Sequence, residues 1–595
     1  MKEFFEKYHT VVFATILWST VFIIYLQTLA PTIGFIDSGE LATVASTLGI
    51  AHPTGYPFFT LLGKVFSLIP FSTEEIVRLN VMAALFTSSA AVVFFFLMLE
   101  LFGGENKKRS EQNIAASMAA SLALAFSQTF WDQGISIEVY SLHLLLILLT
   151  TLFFVQAINT DKSPRWFLFA FTLGLAFTNH LTTILLAPAF LFLFFAEHRF
   201  TRMAIRRIGK LSLPFTLGLS VYLYLPIRAA SHPLLNWGNP QTFEKFWWHV
   251  TGKQFRVWMF ASVDAAQKQF NYFIERVPIE FFYISVVFAA IGFFVLLFSD
   301  KKKLGFVLLL LITCVAYSIN YDIHDIDSYF LLAFIAIAIF AGFGTLKIFE
   351  TVRVFQNKYA LIGSVLLFTC IQVWQNWDDV DQSSNYLVED YAKNILSNLP
   401  PHSIILSYQW DYFVSASYYF QHVKNFRPDV IVLDKELFRR SWYLSQLKKM
   451  YSQIMRKSLV ESDLFLNELY KFEHDLPYDY TAIEGRYTAF LKSIIDHNID
   501  SVNIFVTHEI EPNYTIGYNR IPQGFAYKLI KDASYQPAKF PSIQFRNFDG
   551  ETKYGESIKK FSASVLYQRG LYERQFGKDS LAEFYFSRIR EIPLK

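Results

Sequence analysis

Two carboxylates three residues apart, Asp37 and Glu40, open the densest run of reactive side chains in the chain, GFIDSGELATVASTLGIAHPTGYPFFTLLGK at residues 34–64. His52-Pro53, Tyr56-Pro57 and Lys64 follow within the same stretch. An ionised Asp can accept the proton of a hydroxyl as that hydroxyl attacks, a role worth about 10²–10⁴ in rate. The spacing has a second reading. Asp-x-x-Glu is also a helix-capping pattern, in which Asp accepts from the third amide and Glu reaches back. The readings are compatible, since a cap would also fix the direction of the acid.

A second reactive stretch is NWGNPQTFEKFWWHVTGKQFRVWMF at 236–260. Asn239 before Pro240 reads as a helix start. Phe243, Phe246, Trp247 and Val250 give an apolar face, while Lys245, His249, Lys253 and Arg256 supply positive charge. One reading is an interfacial helix, aromatics in the belt and cations at the headgroups. The other adds that Lys253 and Arg256 grip a lipid-linked phosphate, the Arg as a fork, with Trp237 or Trp247 stacked on a sugar. Arg228 in LPIRAA is a third cation for that phosphate.

Glu138, with Tyr140 and His143 in SIEVYSLH, and His180 in FTNHLTT sit beside hydrophobic segments. Ionisable groups at membrane depth are expensive and usually functional. In YDIHDID (321–327), Asp322, His324 and Asp325 are hard-metal ligands by type. The spacing lacks the Gly turn and distal Glu of a calcium loop, so a solvated connection is the plainer reading. A divalent cation bound together with a phosphate is the alternative.

The wording DSGELATVASTLGIAHPTGYP, followed by NWGNPQTFEKFWWHVTGKQFRVWMF, resembles the transmembrane-protein-260 family within the GT-C membrane glycosyltransferases. The resemblance covers roughly residues 10 to 330. It implies a polyprenyl-phosphate-linked sugar as donor, mannose by family, a Ser or Thr hydroxyl of a translocated acceptor protein, and inversion at the anomeric carbon.

These residues must be positioned by a membrane scaffold. The 595-residue chain is 53% hydrophobic, 18% aromatic and only 17% charged, against about a quarter charged in soluble proteins. A net charge of +3 gives no hint of nucleic acid. Cys314 and Cys370 both lie in apolar segments, and no Cys/His metal motif occurs. The first apolar run, 11–29, is long enough to stay uncleaved as a span. Further spans are expected near 79–102, 113–131, 138–158, 165–180, 182–197, 211–227, 278–299, 304–320, 329–347 and 359–375, eleven in all. Basic clusters at Lys107-Lys108-Arg109, Arg199 to Lys210 and Lys301-Lys302-Lys303 mark inner loops, which leaves Asp37 and the C-terminal region outside.

The expected architecture is therefore a polytopic α-helical GT-C-like membrane domain, residues 1–375, with outer loops 30–78 and 229–277. Two short amphipathic helices of the first loop would lie on the membrane surface. An extracytoplasmic α/β domain follows at 376–550, with βαβ strands near 403–408 and 429–434 and another at 502–506. A tetratricopeptide-like helical hairpin closes the chain at 551–595, turning at Gly577. The α/β domain carries no phosphate loop or nucleophile elbow, so chemistry is not expected from it.

The function read from these features is transfer of a sugar from a polyprenyl-phosphate to a protein hydroxyl, at the outer face of a bacterial inner membrane. Asp37 acts as base, helped by Glu40 or Glu138. Lys253, Arg256 and Arg228 meet the phosphate, and His52, Tyr56 and His180 orient donor or acceptor. A transporter or flippase of a lipid-linked solute is the alternative, and a non-enzymatic scaffold a third. Transporters commonly show internal repeats and mid-membrane broken helices, whereas here the polar residues gather toward one face.

Overall fold

The computed structural model describes residues 2–103, 110–546 and 553–592. The chain forms two compact units. One comprises Met1–Ala30, Ile50–Ser231 and Pro240–Ser383, the other Pro31–Gly49, His232–Asn239 and Ser384–Lys595. The first outer loop is thus divided between the two at Gly49/Ile50.

The first unit is helical. Among the described residues, seven helices are long and apolar enough to cross a membrane by length and composition. An eighth is formed if Val263–Glu280 and Ile284–Ser299, bent by 104°, count as one span. Eleven spans were expected, and the remaining three expected segments are helical but short or charged. Glu111–Ala125 and Ser163–Phe177 have 15 residues each, about 22 Å against some 30 Å of hydrocarbon. Lys301–Ser318 opens on three lysines. The expected span 113–131 breaks after Ala125, where Ser127 turns extended and a separate short helix, Gln128–Asp132, begins. The basic cluster at 107–109 lies outside the described residues.

Close helix crossings rest on small residues, as membrane bundles require. A Cβ on Gly292 would collide with the Phe340 carbonyl, and one on Gly344 with that of Phe288. Several buried polar groups are paired. Asn80 donates to the Ala30 carbonyl at 2.8 Å and accepts from the Ile137 amide at 2.8 Å. The buried Glu280 accepts from the Thr129 amide (2.9 Å) and hydroxyl (2.6 Å), and pairs with Arg276 at 3.0 Å. Asp327 lies 3.3 Å from the same guanidinium. Leaving one of these carboxylates unpaired would cost several kcal/mol, on the order of 3–5.

Pro57–Leu68 and Phe243–Val250 both keep apolar residues exposed. Pro57–Leu68 starts on Pro57 as expected. It buries Phe59, Thr60, Gly63 and Ser67 and exposes Leu61, Val65 and Leu68, which suits a membrane surface. Phe243–Val250 exposes Phe243 and Trp247. Its cap is Thr242, whose hydroxyl accepts from the Lys245 amide at 3.2 Å. Asn239 does not start the helix, because its backbone is left-handed (φ 44°) and the chain makes another turn before Thr242.

The second unit is built on a five-stranded sheet, with β1 Ile404–Ser407, β2 Ile431–Asp434, β3 Ile504–Val506, β4 Asn519–Gln523 and β5 Ala526–Ile530. The strand order is β2-β1-β3-β5-β4. β1 pairs in parallel with β2 (Ile404 opposite Ile431) and with β3 (Ile404 opposite Ile504). β5 runs antiparallel to β3 and β4. Pro522 is tolerated because β4 is an edge strand, and the β4–β5 turn places Gly524 at φ +63°. The C-terminal helices Lys553–Gln575 and Asp579–Arg588 form a hairpin with Gly577 at φ +72°. Arg569, buried and paired with Glu573, ties the hairpin to the sheet by donating to the Pro522 carbonyl at 3.0 Å.

The helix Ser38–Thr47 belongs to this second unit and is buried from Ser38 through Ala45. The expectation of an amphipathic surface helix fails there. Its apolar stripe was read correctly, but the small residues opposite it, Ser38, Gly39, Ala42 and Thr43, let the helix Ser415–His422 come close. A Cβ on Gly39 would collide with the Ser415 carbonyl.

Candidate functional site

In the second unit, Asp37 stands at the cap position of Ser38–Thr47, yet its side chain makes no capping hydrogen bond. Its backbone is helical (φ −89°, ψ −4°) instead of the extended form usual for a cap. The carboxylate is engaged elsewhere, for Trp410 Nε1–H donates to Asp37 Oδ1 at 2.8 Å. A carboxylate oxygen of Glu40 comes within 4.8 Å of one of Asp37. Glu40 itself is buried, and its amide donates to Ser415 Oγ at 3.0 Å. The acid pair predicted from spacing is therefore brought together, but not as a simple capping box.

The chain after β1 makes this arrangement. Trp410–Val414 is one turn of π-helix leading directly into Ser415–His422; such wide turns recur at functional sites. The Asp411 carbonyl accepts from the Ile36 amide at 2.7 Å, one residue before the acid. Trp410 packs edge-on against Trp237 (5.4 Å between centroids), which also lies 4.9 Å from Trp442. Trp237 is thus buried in an indole cluster. Behind the acids, burial first and then Tyr443, Asp434 and Glu40 push the Tyr418 phenol well above its ordinary value, so it stays protonated.

The first unit holds a different cluster. Tyr56 Oη lies 2.9 Å from His52 Nε2 and donates to the Pro53 carbonyl at 3.1 Å. The Tyr56 ring stacks on His180 (6.0 Å, 6° between planes). His180 in turn neighbours Tyr140 at 4.9 Å and His143 at 5.0 Å, and Tyr329 at 6.0 Å. Thr182 Oγ1 bridges the two imidazoles, 2.7 Å from His180 Nδ1 and 3.1 Å from His143 Nε2. His52, Tyr56 and His180, three residues singled out from sequence, thus share one aromatic cage. Glu138 occupies the cap position of Val139–Thr160 and makes no side-chain cap bond.

The expected phosphate grip has specific anchors. Lys253 Nζ lies 4.2 Å over the Trp248 ring, a cation–π contact. Arg256 donates to Thr251 Oγ1 at 3.4 Å, Phe255 meets His52 edge-on at 6.1 Å, and Trp247 is exposed. Arg228 sits in the last turn of Tyr224–Ala230. His249, counted as a cation from sequence, is not one. It is buried against the left-handed Gly55 (φ +86°), where a Cβ would come within 2.8 Å of His249 Nε2. Burial, reinforced by His52, pushes its imidazole down to about 3, so it is neutral. Among the described residues, Asp322, His324 and Asp325 do not bring ligand atoms together as a metal site would.

Sequence reading missed Tyr329, Thr182, Trp410 and Ser415. Thr182 is two residues from His180 and could have been included as its bridge. Trp410 and Ser415 lie more than 370 residues from their partners and carry no local signal.

The helices and closely packed small residues define a polytopic membrane protein, and its fold is similar to that of ArnT. The match to ArnT from Cupriavidus metallidurans bound to undecaprenyl phosphate has a TM-score of 0.51 at 11% identity, covering 89% of this chain and 99% of ArnT. The apo form matches with a TM-score of 0.53 at 11% identity, covering 88% and 98%. The sequence gives the narrower relation. Residues 37–203 match the protein O-mannosyl-transferase TMEM260 N-terminal domain, and residues 388–465 match TMEM260-associated domain 2. The chain resembles protein O-mannosyl-transferase TMEM260 of Mus musculus, 28% identical over 463 residues, 73% of this chain and 64% of the mouse protein. It also resembles the Dictyostelium discoideum protein of that name, 24% identical over 584 residues, 88% of this chain and 67% of the other. The chain thus spans a little under two thirds of the mouse relative.

Proposed function

We propose that this protein is a membrane glycosyltransferase that moves a sugar from a polyprenyl-phosphate to a Ser or Thr hydroxyl of an acceptor protein. The relatives named protein O-mannosyl-transferase support mannose as the sugar, and the fold neighbour bound to undecaprenyl phosphate supports a lipid-linked donor. The observation that carries the reading in this chain is Asp37, whose carboxylate is held by a neutral indole N–H instead of capping its helix.

In the proposed step the acceptor oxygen attacks the anomeric carbon, its proton passes to the Asp37 carboxylate, and the bond from that carbon to the phosphate oxygen breaks. The polyprenyl phosphate leaves with the electron pair. Attack opposite the leaving group gives inversion. Glu40 supports the acid, and Glu138 is the reserve candidate for that role. Lys253, Arg256 and Arg228 offset the charge that grows on the phosphate. His52, Tyr56 and His180 supply an aromatic wall suited to a sugar face. Loop charge supports an extracytoplasmic Asp37, in a bacterium at the periplasmic face of the inner membrane. The test is direct: purified protein given a polyprenyl-phosphate mannose and a Ser/Thr peptide should yield glycopeptide and free polyprenyl phosphate. Movement of intact donor lipid across a vesicle without sugar release would replace this reading with a flippase.

A further inference from the structure

We propose that Trp410, in the turn after β1 of the C-terminal unit, is a positioning residue for the acid Asp37. The inference rests on the reading of Asp37 as the base and adds a role for the α/β fold, from which no chemistry was expected. Three contacts within the second unit join the acidic segment to one turn of chain. Trp410 Nε1–H donates to Asp37 Oδ1 at 2.8 Å. The Ile36 amide donates to the Asp411 carbonyl at 2.7 Å, and the Glu40 amide to Ser415 Oγ at 3.0 Å. Between them Gly39 lies so close to the Ser415 carbonyl that no side chain fits.

Backbone before the acid, its carboxylate, and the backbone after it are thus all fixed by residues 410–415. The indole is itself held, edge-on to Trp237 at 5.4 Å and near Tyr418 at 6.1 Å. The wide turn Trp410–Val414 starts three residues after β1 ends at Ser407, so the parallel sheet is the support of the acid. A neutral donor suits the task, because it fixes the carboxylate's direction without the full charge pairing an Arg or Lys would bring. An acid displaced by about an ångström is expected to lose up to 10²-fold in rate.

The experiment is a double-mutant cycle on the full-length protein in detergent, with transfer from a polyprenyl-phosphate sugar as readout. Trp410→Phe keeps the ring and deletes the N–H. It should lower kcat about tenfold, with donor KM within about twofold and the thermal midpoint unchanged. Asp37→Asn combined with Trp410→Phe should be no slower than Asp37→Asn alone, because Trp410 acts through the acid. Trp410→His, which restores an N–H on a smaller ring, should recover part of kcat. A Trp410→Phe protein with at least half of wild-type kcat overturns the positioning role, as do slowdowns that multiply in the double variant. Equal loss in the Phe and His variants reduces Trp410 to packing. If Trp410→Phe unfolds, Ser415→Ala takes its place in the cycle, with the same non-additivity expected. Full activity of Asp37→Asn, by contrast, removes the base assignment itself.

Discussion

Asp37–Glu40 and His52–Tyr56 read as one outer loop, but they fold into separate units. In the first pair the Asp37 carboxylate accepts from Trp410 Nε1–H, and the Glu40 backbone amide donates to Ser415 Oγ. In the second the groups are rings: Tyr56 Oη lies 2.9 Å from His52 Nε2 and the Tyr56 ring stacks on His180, which the Thr182 hydroxyl joins to His143. Here the direction of the Asp37 carboxylate is fixed from outside its own helix. A ring cage orients itself by packing. Proton transfer should therefore depend on the contact with Trp410, and donor recognition on the packing of the aromatic cage.

The contrast predicts the largest effect at Asp37. Asp37→Asn is nearly isosteric and still offers Trp410 an oxygen, so the thermal midpoint should stay close to wild type. An amide does not take the acceptor's proton, so turnover should fall at least about a hundredfold. Transfer rates for Asp37→Asn and Glu138→Gln, measured side by side, decide which acid is the base. A fully active Asp37→Asn with a dead Glu138→Gln would move the chemistry into the helical unit and end the contrast.

The ring cage should respond in the other kinetic constant. His180→Ala removes the ring on which Tyr56 stacks and one end of the Thr182 bridge. Donor KM should rise about tenfold with kcat nearly unchanged, the pattern of lost ground-state binding. A fall in kcat at constant KM would make His180 part of the chemistry. Smaller still is the effect expected for Lys253→Gln with Arg256→Gln, about three- to fivefold in donor KM. Both cations lean on their own loop, Lys253 on Trp248 and Arg256 on Thr251, and Lys253 must leave its ring to meet a phosphate. Unchanged donor kinetics would make them headgroup anchors.

Much of this was legible in the chain. Periodicity placed helices at nearly every expected position, Pro57 marked a start, and the apolar runs near 403–408 and 429–434 are the parallel pair β1 and β2. What failed had physical causes. The start at Thr242 was missed because Asn239-Pro240 imitates a cap, and the β4–β5 hairpin because Pro522 argues against a strand until its edge position is known. The positive charge assigned to His249 failed because an interfacial pattern does not reveal which helix face meets Gly55. For the site, residue type and spacing picked out Asp37, Glu40, His52, Tyr56 and His180. The partner of Asp37 had no signal, since nothing near Trp410 in sequence announces an acid 373 residues away.

The smallest effect concerns an acid that serves as a control within the same unit. Asp434, at the end of β2, is buried, and burial pushes its carboxyl up to about 7 despite the Leu437 amide donating to Oδ1 at 2.7 Å. Its ordinary value is 3.8. Between about pH 4 and 7 the folded unit therefore holds a proton that the unfolded chain has released. Binding more protons in the folded state means that stability falls as pH rises through that window. Asp434→Asn keeps an oxygen for the Leu437 amide and carries no charge at any pH, so it should be more stable than wild type at pH 8, by up to about 4 kcal/mol on a rise from 3.8 to about 7. The gain should shrink toward pH 4, where the wild-type carboxyl is neutral in the folded state and half-protonated in the unfolded chain. For a unit of this size, 1 kcal/mol is about 2–4 °C in midpoint. Thermal scans of both proteins at pH 4, 6 and 8 check the sign, and sugar transfer at pH 8 checks the control, because turnover per folded molecule should not change. A stability gain with lost transfer would show that the sheet edge beyond Trp410 also bears on the acid, and an unstable Asp434→Asn at pH 8 would mean that the buried carboxylate is ionised and paired.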